Sequence, residues 1–103
     1  MAFLGNARDM ALADFRPGIR SKAEIGDRLI LAIMEIGLGK DDPGHNHPFE
    51  QCGIVLEGEI EMLIGDERQI LGPMDTYFIP AGIFHGWKTV DHPVRIVDIS
   101  GKP

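Results

Sequence analysis

The chain has 103 residues, 44% of them apolar and 25% charged, values of an ordinary soluble globular protein that argue against disordered and membrane-embedded classes. Sixteen acidic against ten basic side chains leave a formal charge of -6 with no Lys/Arg stripe to offset it, which argues against nucleic acid or an anionic membrane as a partner. A single cysteine, Cys52, allows no internal disulfide and is expected as a buried, inert thiol, while 13 glycines suit a chain with many turns.

No linker-like stretch divides the sequence, so one domain over 1–103 is expected, with 1–17 as an N-terminal segment wrapping a barrel core of 18–100. The N-terminal apolar stretch is broken by Arg8, Asp9 and Asp14, and no apolar run is long enough to span a membrane, so the protein is expected in the cytoplasm. Residues 10–15 form either a short turn or a strand, and the sequence does not choose. From Gly18 onward, short runs of Ile, Val, Leu, Met and Phe alternate with Gly, Pro and Asp clusters, which predicts an all-β domain. Strands are expected over 19–25, 28–38, 49–57, 59–64, 68–71, 76–79, 84–89 and 94–100. The "EG" after "GIVL" and the "GDE" before "RQIL" are expected as tight hairpin turns in which glycine takes positive φ. In "EIEML", Ile60, Met62 and Ile64 alternate with Glu59, Glu61 and Leu63, one face for a core and one for water. "LILAIMEI" is apolar on both faces, which predicts burial on both sides by a second sheet or by a second subunit, and hence allows a homodimer.

The stretch "GHNHPFEQCGIVLEG" carries the chemistry. In a regular strand His45, His47, Phe49 and Gln51 share one face, so two imidazoles and an oxygen donor enter the same cavity and make most of a metal's first coordination sphere. Pro48 marks an irregularity that could exchange Gln51 for Glu50, although simple parity favours Gln51. A third histidine, His85, opens another expected strand. His92 sits in a "DHP" turn and is expected to be exposed with no role.

These spacings resemble the cupin superfamily. Its first motif, G-x5-H-x-H-x3,4-E-x6-G, is matched at Gly39, His45, His47 and Gly58, with Gln51 at the glutamate position. Its second, G-x5-P-x-G-x2-H-x3-N, is matched at Pro80, Gly82 and His85, with Met74 at the opening glycine and Thr89 at the final asparagine. The resemblance implies an all-β, RmlC-like double-stranded β-helix, a jelly-roll barrel with a metal in its mouth. Within the superfamily, "HPFEQ", "VLEGEIEM" and "DERQILGP" look most like small single-domain cupins of the pectin-degradation type that linearise unsaturated uronates. That likeness implies three histidines and one glutamine as ligands, and Asp98 matches the group's last-strand aspartate. Ser100 stands where the group has phenylalanine.

A His45, His47, His85 and Gln51 site keeps the full charge of the ion, because the amide oxygen is neutral. It suits Fe, Mn, Ni, Co or Zn. Asp98 is the candidate base for metal-assisted proton transfer on a small oxygen-rich substrate such as a sugar or unsaturated uronate; the competing reading is a surface carboxylate paired with Arg95 or Arg20. Trp87 and Met62 are candidate pocket walls, with Tyr77 and Phe78 beside them, of which one should face the cavity. Other readings are a metal-dependent dioxygenase and a non-catalytic small-molecule-binding module.

Overall fold

A computed structural model of the chain describes residues 4–102, and among them ten strands form two antiparallel sheets with no helix. The larger sheet takes β1 (Ala13–Arg16), β2 (Ile19–Ile25), β3 (Leu29–Ile36), β10 (Val94–Gly101), β5 (Gln51–Glu57) and β8 (Thr76–Ile79) in that spatial order. The smaller takes β4 (Asp41–His45), β9 (His85–Thr89), β6 (Ile60–Ile64) and β7 (Glu67–Leu71). The sheets close face to face around an apolar core that includes Ile36, Val55, Ile60, Ile79 and Val94, each at 1% exposure or less. This is the expected jelly roll. Among the described residues no helix is long and apolar enough to cross a membrane.

The expected strands over 19–25 and 76–79 occur with those bounds, and the others are shifted or trimmed by a few residues. The undecided 10–15 stretch holds most of β1. What "GKDDPG" hides is β4: Asp, Pro and Gly are poor strand formers, and Pro43 is tolerated because β4 is the edge strand of its sheet. The two turns differ from one another. "GDE" joins the paired strands β6 and β7 through Gly65 and Asp66, with Gly65 at φ 62°, as a true hairpin. "EG" is not one, because β5 and β6 lie in different sheets and Gly58 carries the chain between them.

Within the single chain, among the described residues, no second sheet covers the outer face of "LILAIMEI". Met34 and Ile36 turn inward, but Leu29 and Leu31 on the other face are 61% and 41% exposed. Only Ile33 on that face is buried. It lies beside the N-terminal segment, which Arg95 ties down by donating to the carbonyls of Ala7 (2.9 Å) and Met10 (2.8 Å). Cys52 is half-buried on the same outer face, in register with Ile99 and Phe78.

Strand β10 positions the site. Its inward residues run Val94, Ile96, Asp98, so one strand leads from the apolar core to a buried carboxylate.

Candidate metal centre

His45, His47 and His85 meet at the mouth of the barrel, with one ligand atom from each lying within 4.8 Å of the others. The route differs from the expected one. His45, His47, Phe49 and Gln51 do not share a strand face: β4 ends at His45, β5 begins at Gln51 in the other sheet, and 46–50 is the crossing between them. His45 stands opposite His85 in the β4–β9 pair, past a register irregularity that holds Gly44 at φ 138°. A Cβ at Gly44 would also meet the Phe84 ring, which would have to move aside. His47 is fixed from the crossing itself: its carbonyl accepts from Gly82 N at 2.8 Å, and its ring stacks on Phe49 at 3.9 Å between centroids.

Each imidazole has its Nδ1 against an oxygen. His45 Nδ1 lies 3.0 Å from Asp42 Oδ2, His47 Nδ1 3.0 Å from the Phe49 carbonyl, and His85 Nδ1 2.9 Å from the Ile83 carbonyl. An Nδ1–H donated to each acceptor leaves every Nε2 with a bare lone pair, the state in which histidine binds metal. His85 is 2% exposed and its Nε2 has no hydrogen-bond partner, a vacancy that buried polar atoms rarely tolerate. Burial also pushes the His85 pKa down, against the hydrogen bond to Ile83, so the ring is held neutral.

Gln51, the first residue of β5, supplies the oxygen. Its Nε2 donates to Asp98 Oδ2 at 2.8 Å, and its Oε1 lies 3.0 Å from His47 Nε2. An ionised carboxylate only accepts, so Asp98 fixes which end of the amide faces the histidines. His47 then has an oxygen acceptor at both ring nitrogens, more than the one N–H of a neutral imidazole can serve. A cation shared by His47 Nε2 and Gln51 Oε1 would resolve the conflict for the neutral ring. The donor set therefore fits a divalent transition metal. Glu50, the alternative donor, is exposed.

Asp98 is not a surface carboxylate paired with Arg95 or Arg20; both arginines pair with Glu35 instead. It is 8% exposed and accepts from the Tyr77 hydroxyl at 2.5 Å as well as from Gln51. Burial raises its pKa despite these two donors, while burial and the neighbouring carboxylate push Tyr77 far upward. Tyr77 reaches Asp98 by lying across Gly53, where any Cβ would strike its hydroxyl and the Val97 carbonyl. Asp98, Gly53 and Tyr77 thus form one row across three strands.

The donors open into a cavity of about 200 Å³ walled by Met34, Ile60, Met62, Trp87 and Ile96, with Tyr77 and Asp98 on its floor. Phe78 is a correction: strand alternation sends Tyr77 inward and leaves Phe78 on the outer face, 56% exposed. His92 is exposed between β9 and β10. Two charged cavity residues had no counterpart among the expectations from sequence: Asp42, hidden in the unrecognised β4, and Arg16 on β1.

Residues 32–100 match the family model described as "Cupin domain". Dimethylsulfoniopropionate lyase DddQ of Ruegeria pomeroyi is 37% identical over 68 residues, 65% of this chain and 34% of that protein. Quercetin 2,3-dioxygenase of Bacillus subtilis is 33% identical over 78 residues, 75% of this chain and 23% of that protein. The matched span is thus about a third or a quarter of these relatives' own length. Among solved structures, KdgF from Halomonas sp. superposes with a TM-score of 0.85 at 21% identity, covering 100% of this chain and 96% of that one. An RmlC-like cupin from Shewanella frigidimarina gives 0.83 at 17% identity, covering 100% and 93%. The chain belongs to the cupin family, and its two facing sheets are the cupin barrel.

Proposed function

We propose that this cupin holds a divalent transition metal on His45, His47, His85 and Gln51 and catalyses proton transfer on a small oxygen-rich metabolite such as a sugar or unsaturated uronate. The observation that carries the reading is the buried, unpartnered Nε2 of His85 beside a His47 Nε2 and Gln51 Oε1 that face each other as donors a cation would bridge. When bound, the metal supplies Lewis-acid polarisation of a substrate oxygen. The rest falls to the chain. Asp42 and the carbonyls of Phe49 and Ile83 hold the imidazoles in one tautomer. Asp98, on the cavity floor, takes the proton, and Tyr77 holds its carboxylate in place. Met62 and Trp87 form apolar walls that exclude water from the other sides.

The test is elemental analysis of untagged protein beside His47→Ala, followed by hydrogen exchange of an unsaturated uronate in D2O with and without oxygen. Near-stoichiometric metal lost in the variant, with exchange that needs no oxygen, supports the reading. No uptake of Fe, Mn, Ni, Co or Zn defeats it. Exchange that requires oxygen favours a metal-dependent dioxygenase, the second reading, which the likeness to the quercetin enzyme supports. Binding without turnover favours a non-catalytic binding module.

We also infer a homodimer and a single domain over 1–103. Across the outer face, Leu31, Ile99, Cys52 and Phe78 stand side by side on four adjacent strands, and the three large ones are 41%, 37% and 56% exposed. A second copy of this sheet is the partner of matching chemistry. Light scattering should give twice the chain mass, and Leu31→Glu should halve it.

A further inference from the structure

The cavity wall carries three formal charges, and two of them are already engaged. Asp42 accepts from Gly44 N at 3.0 Å and lies against His45; Asp98 accepts from Gln51 and Tyr77. The third is Arg16, which among the described residues forms no ion pair; Arg8, Arg20, Arg68 and Arg95 each lie against a carboxylate, and Arg28, also without one, does not line the cavity. Its direction is set by the backbone. In β1, Asp14 stands opposite Arg20, whose row continues to Glu35 on the outside of the sheet. Plain alternation would put Arg16 on that same outer face. Instead the register shifts between Asp14 and Arg16, and Arg16 stands opposite Ile19, whose own partner is the core residue Ile36. One extra residue, Phe15, thus moves Arg16 onto the inward register, and its side chain lines the cavity although the residue remains largely exposed, the kind of re-aiming that bulges perform beside functional sites. The guanidinium carbon lies 5.2 Å from the Phe15 ring centroid, a stacked placement that steadies the plane and leaves its edge of N–H donors free.

We infer that Arg16 is a specificity-determining residue that selects substrates bearing a carboxylate, pairing with it while the remaining oxygens of the molecule face the histidines. The inference rests on the proposed site and names its substrate class: an oxygen-rich carboxylic acid rather than the corresponding neutral polyol. A guanidinium donating two parallel N–H bonds matches a carboxylate in geometry and charge, and no neutral hydroxyl can reproduce the pairing.

The test measures binding of two matched pairs, D-galacturonate against D-galactose and L-lactate against propane-1,2-diol, by calorimetry on zinc-loaded wild type, Arg16→Met and Arg16→Lys. Wild type should prefer the acid of each pair by about tenfold or more, as expected of a charge-assisted bidentate contact. Arg16→Met should reduce the preference to about threefold or less, and Arg16→Lys should retain an intermediate value. Zinc content by elemental analysis should be the same in all three, since Arg16 is not a ligand. Retention of the full preference in Arg16→Met overturns the inference, as does equal or undetectable binding of acid and alcohol by wild type. His47→Ala separates the two proposals: loss of zinc binding with the acid preference kept supports Arg16 by itself, while unchanged zinc binding counts against the metal site alone.

Discussion

Replacing Gln51 by glutamate probes the link between Asp98 and the histidines, because it sets a carboxylate where the amide now donates to Asp98 Oδ2 at 2.8 Å. At an effective dielectric of 20, two unit charges 2.8 Å apart repel by about 6 kcal/mol. Taking up one proton at pH 7 against an ordinary glutamate pKa of about 4.3 costs only about 4 kcal/mol. The pair therefore keeps a proton, and about 4 kcal/mol bounds the loss of stability from charge at pH 7. The unfolded variant releases that proton above about pH 4.3, so the folded state binds one more, and stability falls as pH rises. The deficit should shrink to about 1 kcal/mol at pH 5. Asp98→Asn removes the second charge while keeping an oxygen for Tyr77, so the double variant should recover most of the loss, with a coupling energy of about 2 kcal/mol or more at pH 7. Urea unfolding of metal-free wild type, both single variants and the double variant at pH 5 and 7 measures this. A Gln51→Glu deficit that ignores pH, or additivity within about 0.5 kcal/mol, would refute the coupling.

Tyr77→Phe removes a hydrogen bond to a buried charged group and should cost about 1.5–3 kcal/mol in the same assay, with metal content unchanged. Gly53→Ala should cost about 1–3 kcal/mol by overpacking against Val97 and Tyr77, and in its background Tyr77→Phe should cost clearly less, since the hydroxyl is already displaced. His85 is held neutral by burial in the folded state, whereas the unfolded chain protonates it near pH 6.5. Its contribution to metal-free stability should therefore be flat above about pH 7 and be lost as pH falls below that value. Thermal melts of wild type against His85→Gln from pH 5 to 8 isolate it from Asp98, whose raised pKa acts in the opposite direction; a difference that grows with acidity contradicts the assignment.

Hydropathy alternation made most strands legible in the sequence, because each buries one face: Ile60 and Met62 against Glu61 is the plainest case. It failed at β4, where the strand is an edge built of Asp and Pro, and at β3 it did not tell cover by a second sheet, which is absent among the described residues, from cover by a second copy of the chain. The histidines were found for a partly mistaken reason. Parity along one strand brought His45, His47 and Gln51 together on paper, whereas in space the chain changes sheets between them. Arg16 was invisible because its direction depends on a register shift that no alternation rule contains. Gly53 was the missed clue for the Tyr77–Asp98 contact, since glycine inside a strand often marks a close approach by another group.

The departure from the usual cupin glutamate at position 51 has a physical cause in position 98. A glutamate needs donors around it, and the neighbour here is an acceptor; an amide satisfies both sides, giving N–H to Asp98 and oxygen to the histidines. The neutral amide also changes the charge of the whole cavity. With a divalent ion on the histidines, the ion and Arg16 outweigh Asp42 and Asp98 by one positive charge, whereas a fully ionised glutamate at 51 would bring the sum to zero. A surplus of one positive charge in a partly closed cavity is best neutralised by a ligand carrying one negative charge. On the proposed metal site, Gln51 on β5 and Arg16 on β1 therefore favour the same class of molecule, a monocarboxylate rather than a neutral sugar or a dicarboxylate.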